Sequence, residues 1–550
     1  MAQKQKNTSS KETKTASAVA PKNTIDAYLI VLSLFLAAVA YVRFRLLSIP
    51  LERDEGEYAY MGKLILEGIA PYGEAYNMKL PGTHFMYAVL MLIFGKTVTG
   101  IHLGLLLINL GTCILFFFGF KKLFNPIAGL ASAAVFGIMS ISASFLGFAA
   151  HATHFVTFYL ALGVFFYSKY SLDKKMLWIF LTGIMFGMAF LMKQQAAFII
   201  IMGGLWVVSG HIFAKPFQAK SFVTDVLAYS VGVFVPYLLT LGILYAAGVF
   251  DKFWFWTFEY ASKYASGVDW EQGKQLLGMT FKPMWDEFTL LWVLAIVSVP
   301  ILWLSKLSIH QKIVATATGL FAFLTVCPGF YFRQHYFIPL LPAVGLLAGL
   351  GIATVADYLK NSLKINAGLA IITIILFISV SVAWSKNKIY YFKTKPLILS
   401  RMIYGTNPFP ESLEVAKYIN QNSTKEDKIA VLGSEPQLFL YAGRYSGTGY
   451  IYTYGLMEIH DYNKQMQEEM IAEIEKSKPK FIVFCNIGTS WLVRPDSPRL
   501  IFEWFGKYSQ ENYVVDGVAD IAGQQAIYKW GEEAAYYRPQ GEHLVVYKRK

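Results

Sequence analysis

Charge is scarce in this chain. Only 15% of its 550 residues are Asp, Glu, Lys or Arg while 55% are hydrophobic, and that balance excludes a soluble enzyme. Cysteine is scarcer still: Cys113 and Cys327 fall in apolar runs and Cys485 ends a strand-like FIVF segment, so no disulfide or zinc spacing exists among them. The sequence has no G-x-G-x-x-G and no Walker loop, which leaves a nucleotide-binding reading without support. Acids are nearly absent from the short loops. Clusters at Lys121/Lys122, Lys169/Lys174/Lys175, Lys215/Lys220, Lys306/Lys312 and Lys360/Lys364 have the character of cytoplasmic loops. The formal charge of +13 is therefore scattered between apolar segments, which excludes a nucleic-acid surface and points to membrane topology.

What is present in quantity is apolar sequence. Runs such as Ala27 to Val42, Ile101 to Phe120, Phe222 to Ala247 and Ala367 to Val382 approach or reach the length of a hydrocarbon core. Alternating sides with the Lys clusters predicts about eleven spans, roughly 25–47, 98–120, 126–147, 154–169, 176–192, 194–210, 222–247, 288–305, 313–331, 336–356 and 366–385. The stretch Thr83 to Phe94 is too short to cross and is expected to lie along the interface. No cleavage site follows the first run, so it is expected to stay as a helix behind a disordered cytoplasmic tail, 1–23. The odd count puts the C-terminus outside.

The reading is a polytopic α-helical membrane protein of the inner cell membrane. Residues 24–388 form the transmembrane domain with outer loops 49–97 and 249–287, and 389–550 a soluble extracytoplasmic α/β domain. In that last part the apolar runs shorten to strand length, as in KIAVLG at 428–433 and KFIVFCN at 480–486, with an amphipathic helix at Asn463 to Lys476 between them.

The densest polar cluster follows the first span: Leu51-Glu52-Arg53-Asp54-Glu55-Gly56-Glu57-Tyr58. An isolated charge run of this kind is usually a solvated loop. Here the loop continues through Gly68-Ile69-Ala70-Pro71-Tyr72 and Lys79-Leu80-Pro81-Gly82 into the interfacial helix, which places acids, a cation and rigid turns between two membrane-anchored elements.

In their order, these motifs resemble the GT-C glycosyltransferases, in the branch of the protein O-mannosyltransferases and lipid A aminoarabinose transferases (family 39-like). The resemblance takes in Asp54 to Tyr58, the Gly68 to Tyr72 turn, Lys79-Leu80-Pro81, Met192-Lys193-Gln194 and Arg333-Gln334-His335-Tyr336-Phe337-Ile338-Pro339, across residues 25–385. It implies a GT-C fold and an enzyme that moves a hexosyl or pentosyl group from a polyprenyl-phosphate donor, with inversion, to a protein, lipid or glycan acceptor outside the membrane. By the same resemblance Asp54 is the catalytic base. The chemistry agrees, since a lipid phosphate is already a good leaving group and needs only a base for the acceptor and fixed positive charge for the departing anion.

Glu55 is a candidate acid partner or metal ligand, and Lys79, Lys193 and Arg333 are candidate phosphate ligands. Tyr58, Tyr72, His151, His154, His335 and Tyr336 are substrate-binding candidates. Each has a plainer reading, with Lys193 snorkelling from a helix end and the aromatics forming an interfacial belt. Where the family often carries a second acid, this chain reads Ala150-His151-Ala152-Thr153-His154, two histidines three residues apart that would share one helix face. No metal is firmly predicted; any ion would be magnesium, manganese or calcium held by carboxylate near Asp54. The aromatic outer loop 249–287 is read as an anchor or a lid. The competing class is a transporter or flippase for a lipid-linked or small solute, but the dense acids lie in the first outer loop and not at mid-membrane.

Overall fold

The computed structural model of the chain describes residues 26–523 and 525–550; the tail expected to be disordered, 1–23, lies outside them. In chain order the membrane part comprises α1 (Ala27–Arg45), α2 (Arg53–Leu66), α3 (Gly82–Phe94), α4 (Val98–Leu123), α5 (Pro126–Met139), α6 (Ala152–Asp173), α7 (Met176–Met192) and α8 (Ala197–Ile212). There follow α9 (Ala219–Ala246), α10 (Phe250–Trp254), α11 (Ala261–Ala265), α12 (Trp270–Leu304), α13 (Ile309–Leu324), α14 (Leu341–Leu363) and α15 (Gly368–Lys388). Eight of these, α1, α4, α6, α8, α9, α12, α14 and α15, are long and apolar enough to cross a membrane, with α8, α14 and α15 counted together with the short turns that adjoin them.

Each of the eleven expected spans overlaps a helix, but 126–147 and 313–331 run past the ends of α5 and α13. Three of the helices, α5, α7 and α13, have only 14, 17 and 16 residues. In α5 packing has replaced length. Every residue from Ile127 to Met139 is buried, because small side chains let its neighbours approach to backbone contact. A Cβ on Gly345 of α14 would lie 2.5 Å from the Ala131 carbonyl oxygen, so this crossing admits glycine only.

Both segments expected as outer loops are largely helical. The first contains α2 and α3, and α3 buries His84, Tyr87 and Met91 while exposing Phe85, Val89, Leu92 and Ile93 on its other side. The second, expected as loop at 249–287, folds as α10, a π-helical turn at Phe255–Tyr260, α11 and the first half of α12. Periodicity was masked there by aromatics spaced for packing against the C-terminal part. The expected start of a span at 288 is a kink in α12, where Phe288 leaves helical geometry (φ −125°, ψ 31°) five residues after Pro283.

The C-terminal part adds α16 (Pro396–Tyr404), α17 (Phe409–Gln421), β1 (Lys428–Leu432), α18 (Gln437–Ala442), β2 (Tyr445–Ser446), α19 (Tyr454–Met457), α20 (Asn463–Ser477) and β3 (Phe481–Asn486), then β4 (Tyr513–Ile521), β5 (Ile527–Trp530) and β6 (Glu542–Arg549). One six-stranded mixed sheet results, in the order β2-β1-β3-β6-β4-β5, with β1 parallel to β2 and β3 and the remaining pairs antiparallel. The unbroken apolar runs of β1 and β3 suit strands covered on both faces. Their covering is shared with the membrane part: Tyr60, Met61 and Leu64 of α2 sit in one core with Ile429, Phe439 and Phe481. Tyr72, Leu80, Phe253 and Trp256 sit in another with Leu432, Leu456 and Ile482.

Candidate active site

The site is built on the first turn of α2. Glu52 caps the helix and forms a capping box with Glu55, each carboxylate accepting the other's backbone N–H (2.9 and 3.2 Å), which satisfies two otherwise orphaned donors. Asp54 and Glu57 are three residues apart on this helix and so lie on one face. The Lys79 ammonium bridges them, donating to Asp54 Oδ1 at 3.0 Å and to Glu57 Oε2 at 2.7 Å. Glu57 is buried and its other oxygen faces His84 Nε2 at 3.3 Å. Lys79 also lies over the Tyr58 ring, 4.5 Å from its centre.

This cluster opens into a cavity of about 880 Å³, walled by Asp54, His151, Lys193, Arg333, Tyr452 and Arg494 among others. Lys193 places its ammonium 3.5 Å from the centre of the Tyr336 ring, and Arg333 lies 5.7 Å from that of Tyr331. Neither has a carboxylate within salt-bridge distance among the described residues. The cavity thus combines a paired acid with unpaired cations.

Burial by itself would raise the pKa of Asp54, but the Lys79 ammonium, seconded by His151 and Lys193, outweighs it and brings the carboxyl down to about 2. Glu52 goes the other way, pushed well up by burial and by the charges of Asp54 and Glu55. Burial also lowers Lys193 to about 7, with Asp54 opposing, and lowers His151 to about 4.

Of the residues expected at the site, the fold gathers Asp54, Tyr58, Lys79, His151, Lys193, Arg333, His335 and Tyr336 around the cavity. Three stay outside. Glu55 turns into the packing, accepting from the Ala150 N–H at 2.5 Å and facing His102 Nε2 at 2.9 Å, so it is a brace between helices and not an acid partner or metal ligand. Tyr72 is fully buried, with a left-handed backbone (φ 68°), and donates its hydroxyl to the Lys79 carbonyl at 2.6 Å; it positions the lysine from behind. His154 packs against α4 with its Nδ1 3.0 Å from Asn109 Oδ1. The shared helix face expected for His151 and His154 fails because His151 is the cap residue of α6, with extended backbone (φ −59°, ψ 149°) that points it elsewhere.

His151 instead stacks on His335, ring centres 4.0 Å apart. The ligand-capable atoms of Asp54, His151 and His335 lie within 4.8 Å of one another. Both nitrogens of His151 and Nδ1 of His335 are buried without a hydrogen-bond partner among the described residues, so these three residues fit a divalent ion. Imidazole nitrogens favour zinc over the magnesium, manganese or calcium expected of a carboxylate-only site.

Sequence reasoning missed Glu57 as the second anchor of Lys79, although its i, i+3 spacing from Asp54 was visible. It also missed Tyr452, Tyr454, Glu458 and Arg494, which reach the cavity from the C-terminal part. Tyr452 lies about 400 positions away in sequence, and its hydroxyl approaches Asp54 Oδ1 at 3.5 Å. No local signal marks such residues.

Residues 79–239, which carry Lys79, His151 and Lys193, match the family model described as dolichyl-phosphate-mannose-protein mannosyltransferase. The whole fold is similar to that of ArnT from Cupriavidus metallidurans bound to undecaprenyl phosphate, with a TM-score of 0.58 and 14% identity over 95% of this chain and 98% of that one. The apo state of ArnT gives 0.55 and 15% over 94% and 98%. This chain has an ArnT-like GT-C fold. No protein with a curated description matches the sequence significantly. The GT-C resemblance drawn from the ordered motifs is therefore borne out in fold and in the family-model match over residues 79–239, and the multi-pass, helix-dominated architecture is borne out with it.

Proposed function

We propose that this GT-C chain is a glycosyltransferase that moves a sugar from a polyprenyl-phosphate donor to a hydroxyl acceptor on the extracytoplasmic face of the membrane. The observation that carries the reading is Asp54, ionised and bridged to Lys79 at 3.0 Å, at the wall of a cavity that also presents Lys193 and Arg333. ArnT, which shares the fold, is recorded with undecaprenyl phosphate bound.

In the proposed reaction the acceptor oxygen attacks the anomeric carbon from the face opposite the phosphate. The C–O bond to the phosphate breaks, its electron pair stays on the lipid phosphate, and the acceptor proton passes to Asp54, so that the configuration inverts. A carboxyl with pKa about 2 is a weak base in the resting site. A donor phosphate that engages Lys79 draws its charge away from Asp54 and strengthens the base when acceptor transfer requires it. Lys193 and Arg333, which have no carboxylate of their own, compensate the charge developing on the leaving phosphate. Asp54, His151 and His335 would hold a divalent ion, which would supply fixed positive charge at the same wall.

The orientation rests on charge. Lys174 and Lys175 join α6 to α7 at the ends opposite His151 and Lys193, and Lys122 and Lys169 converge there over Phe165 at 5.6 and 5.5 Å. A cytoplasmic position for that lysine-rich end puts the cavity and the sheet outside. Two buried acids lie in membrane-length helices, and both are taken up by neighbours: Asp225 of α9, toward the lysine end, by Tyr170 (2.5 Å) and His211 (3.0 Å), and Glu287 of α12 by Ser142 and Ser144 (2.6 Å each) and Asn387 (2.7 Å). Incubation of the purified protein with a radiolabelled polyprenyl-phosphate sugar and cell extract tests the reading. Covalent transfer supports it, and vesicle uptake of label without transfer favours the transporter.

A further inference from the structure

Arg53 immediately precedes the proposed base, and its buried guanidinium reaches into the C-terminal part at the cavity wall, among Asn407, Phe409 and Tyr454. It makes four hydrogen bonds there: Nε to the Ser434 carbonyl (2.5 Å), Nη1 to the Tyr454 hydroxyl (2.9 Å), and Nη2 to both Glu435 Oε1 (2.5 Å) and Asn407 Oδ1 (3.0 Å). Phe409 and Tyr454 cover it, each ring centre 5.6 Å from Cζ. Glu435 is fully buried and its second oxygen accepts from Gln437 at 2.8 Å. The partners come from separate stretches of chain, and two of them are tied to a third: Asn407 accepts from Thr489 at 2.9 Å and Tyr454 donates to the Thr489 carbonyl at 2.7 Å.

Other contacts run the same way along the helix. The Leu51 N–H donates to the Tyr441 hydroxyl at 2.8 Å, and the Tyr60 hydroxyl accepts from the Ser446 N–H at 2.8 Å. Gly56 touches α18 so closely that a Cβ would lie 2.5 Å from the Gln437 nitrogen. The acid-bearing helix is therefore held by segments of the C-terminal part that also wall the cavity, since Asn407, Phe409, Tyr452 and Tyr454 line it together with Arg53.

We infer that Arg53 is a positioning residue, through which the C-terminal α/β part sets the first turn of α2 and with it the position of Asp54. The inference rests on the reading of Asp54 as the reacting carboxylate. A buried guanidinium fork satisfied by four acceptors has one geometry, and a lysine, with a single point charge, cannot reproduce it. Displacement of a reacting group by about 1 Å costs on the order of 100-fold in rate without altering how the distant parts of the substrate bind. The C-terminal part is by this account an integral half of the acid's support and not an appended module.

The test uses the full-length protein in lipid nanodiscs as parent, Arg53→Lys and Glu435→Gln, with the folded fraction measured by size exclusion. Turnover per folded molecule is expected to fall about 100-fold in Arg53→Lys and about tenfold in Glu435→Gln, with the donor KM within about threefold of the parent. Hydrogen exchange at the amides of residues 55–58 is expected to quicken at least tenfold while α14 stays protected. Turnover per folded molecule within twofold of the parent in both variants, or exchange in α2 unchanged in both, overturns the inference. If the parent itself transfers no sugar, the proposed function falls, and the exchange measurement still decides this point alone.

Discussion

The Lys193 ammonium rests 3.5 Å above the Tyr336 ring in a wall where the nearby carboxylates belong to another lysine. Burial without an ion-pair partner lowers its pKa to about 7, only partly opposed by Asp54. The bound phosphate of a donor favours the protonated form, so donor binding takes up a proton on this side chain. Affinity is then greatest below pH 7 and falls as pH rises through and beyond it, by about tenfold between pH 6 and 8.5. Binding of polyprenyl phosphate measured across that range checks the sign, and Lys193→Arg is expected to flatten the profile. A profile that steepens or stays the same in the arginine variant contradicts this role.

Lys79 has two duties that a double substitution separates. In Lys79→Ala the carboxylates of Asp54 and Glu57 face each other without their shared cation, and the loss of a largely buried partner costs about 3 kcal/mol of stability. Adding Glu57→Gln removes half of the stranded charge and is expected to restore most of the thermal stability. Donor affinity is expected to stay reduced in both, because the phosphate has lost its ligand. Recovery of donor binding along with stability would show that Lys79 is structural only.

The donor set at His151 and His335 selects among ions. Zinc titrated into metal-free protein is expected to raise the melting temperature at low micromolar concentration, with magnesium and calcium without effect at a hundredfold excess. His335→Ala is expected to abolish the zinc response. An equal response to calcium would return the site to oxygen ligands alone.

Packing between α2 and α18 leaves no room at Gly56, whose added Cβ would meet the Gln437 nitrogen, Cβ and Cα at 2.5, 2.7 and 2.8 Å. Gly56→Ala improves helix propensity by at most about 1 kcal/mol but forces two backbones apart, and the overpacking cost of about 1–3 kcal/mol is expected to win. A lower melting temperature with reduced turnover per folded molecule is the expected outcome; a stabilised, fully active variant contradicts the close approach.

Much of this was legible from residue order. The positions of the membrane-length helices followed from apolar length, and β1 and β3 from runs too short for helices. The site residues that were legible, Asp54, Lys79, Lys193 and Arg333, each stand beside a turn or a helix end where charge is unusual in so apolar a chain. What failed depended on three-dimensional direction. The sequence spacing of His151 and His154 implied one face, but the extended cap residue set His151 toward the cavity and His154 toward Asn109. Glu55 and Asp54 are neighbours in sequence and point to opposite sides of α2, one into packing and one into the cavity. The roles of Tyr452, Tyr454 and Arg494 arise from long-range folding that no local pattern encodes.

The most direct test of the account is sugar transfer by purified parent and Asp54→Asn proteins from a radiolabelled polyprenyl-phosphate sugar. Asparagine keeps the size of the side chain and removes its basicity and its charge toward Lys79. The account predicts normal membrane insertion, retained binding of polyprenyl phosphate and transfer reduced by a factor on the order of 1000 or more. Transfer by Asp54→Asn at the parental rate would contradict it.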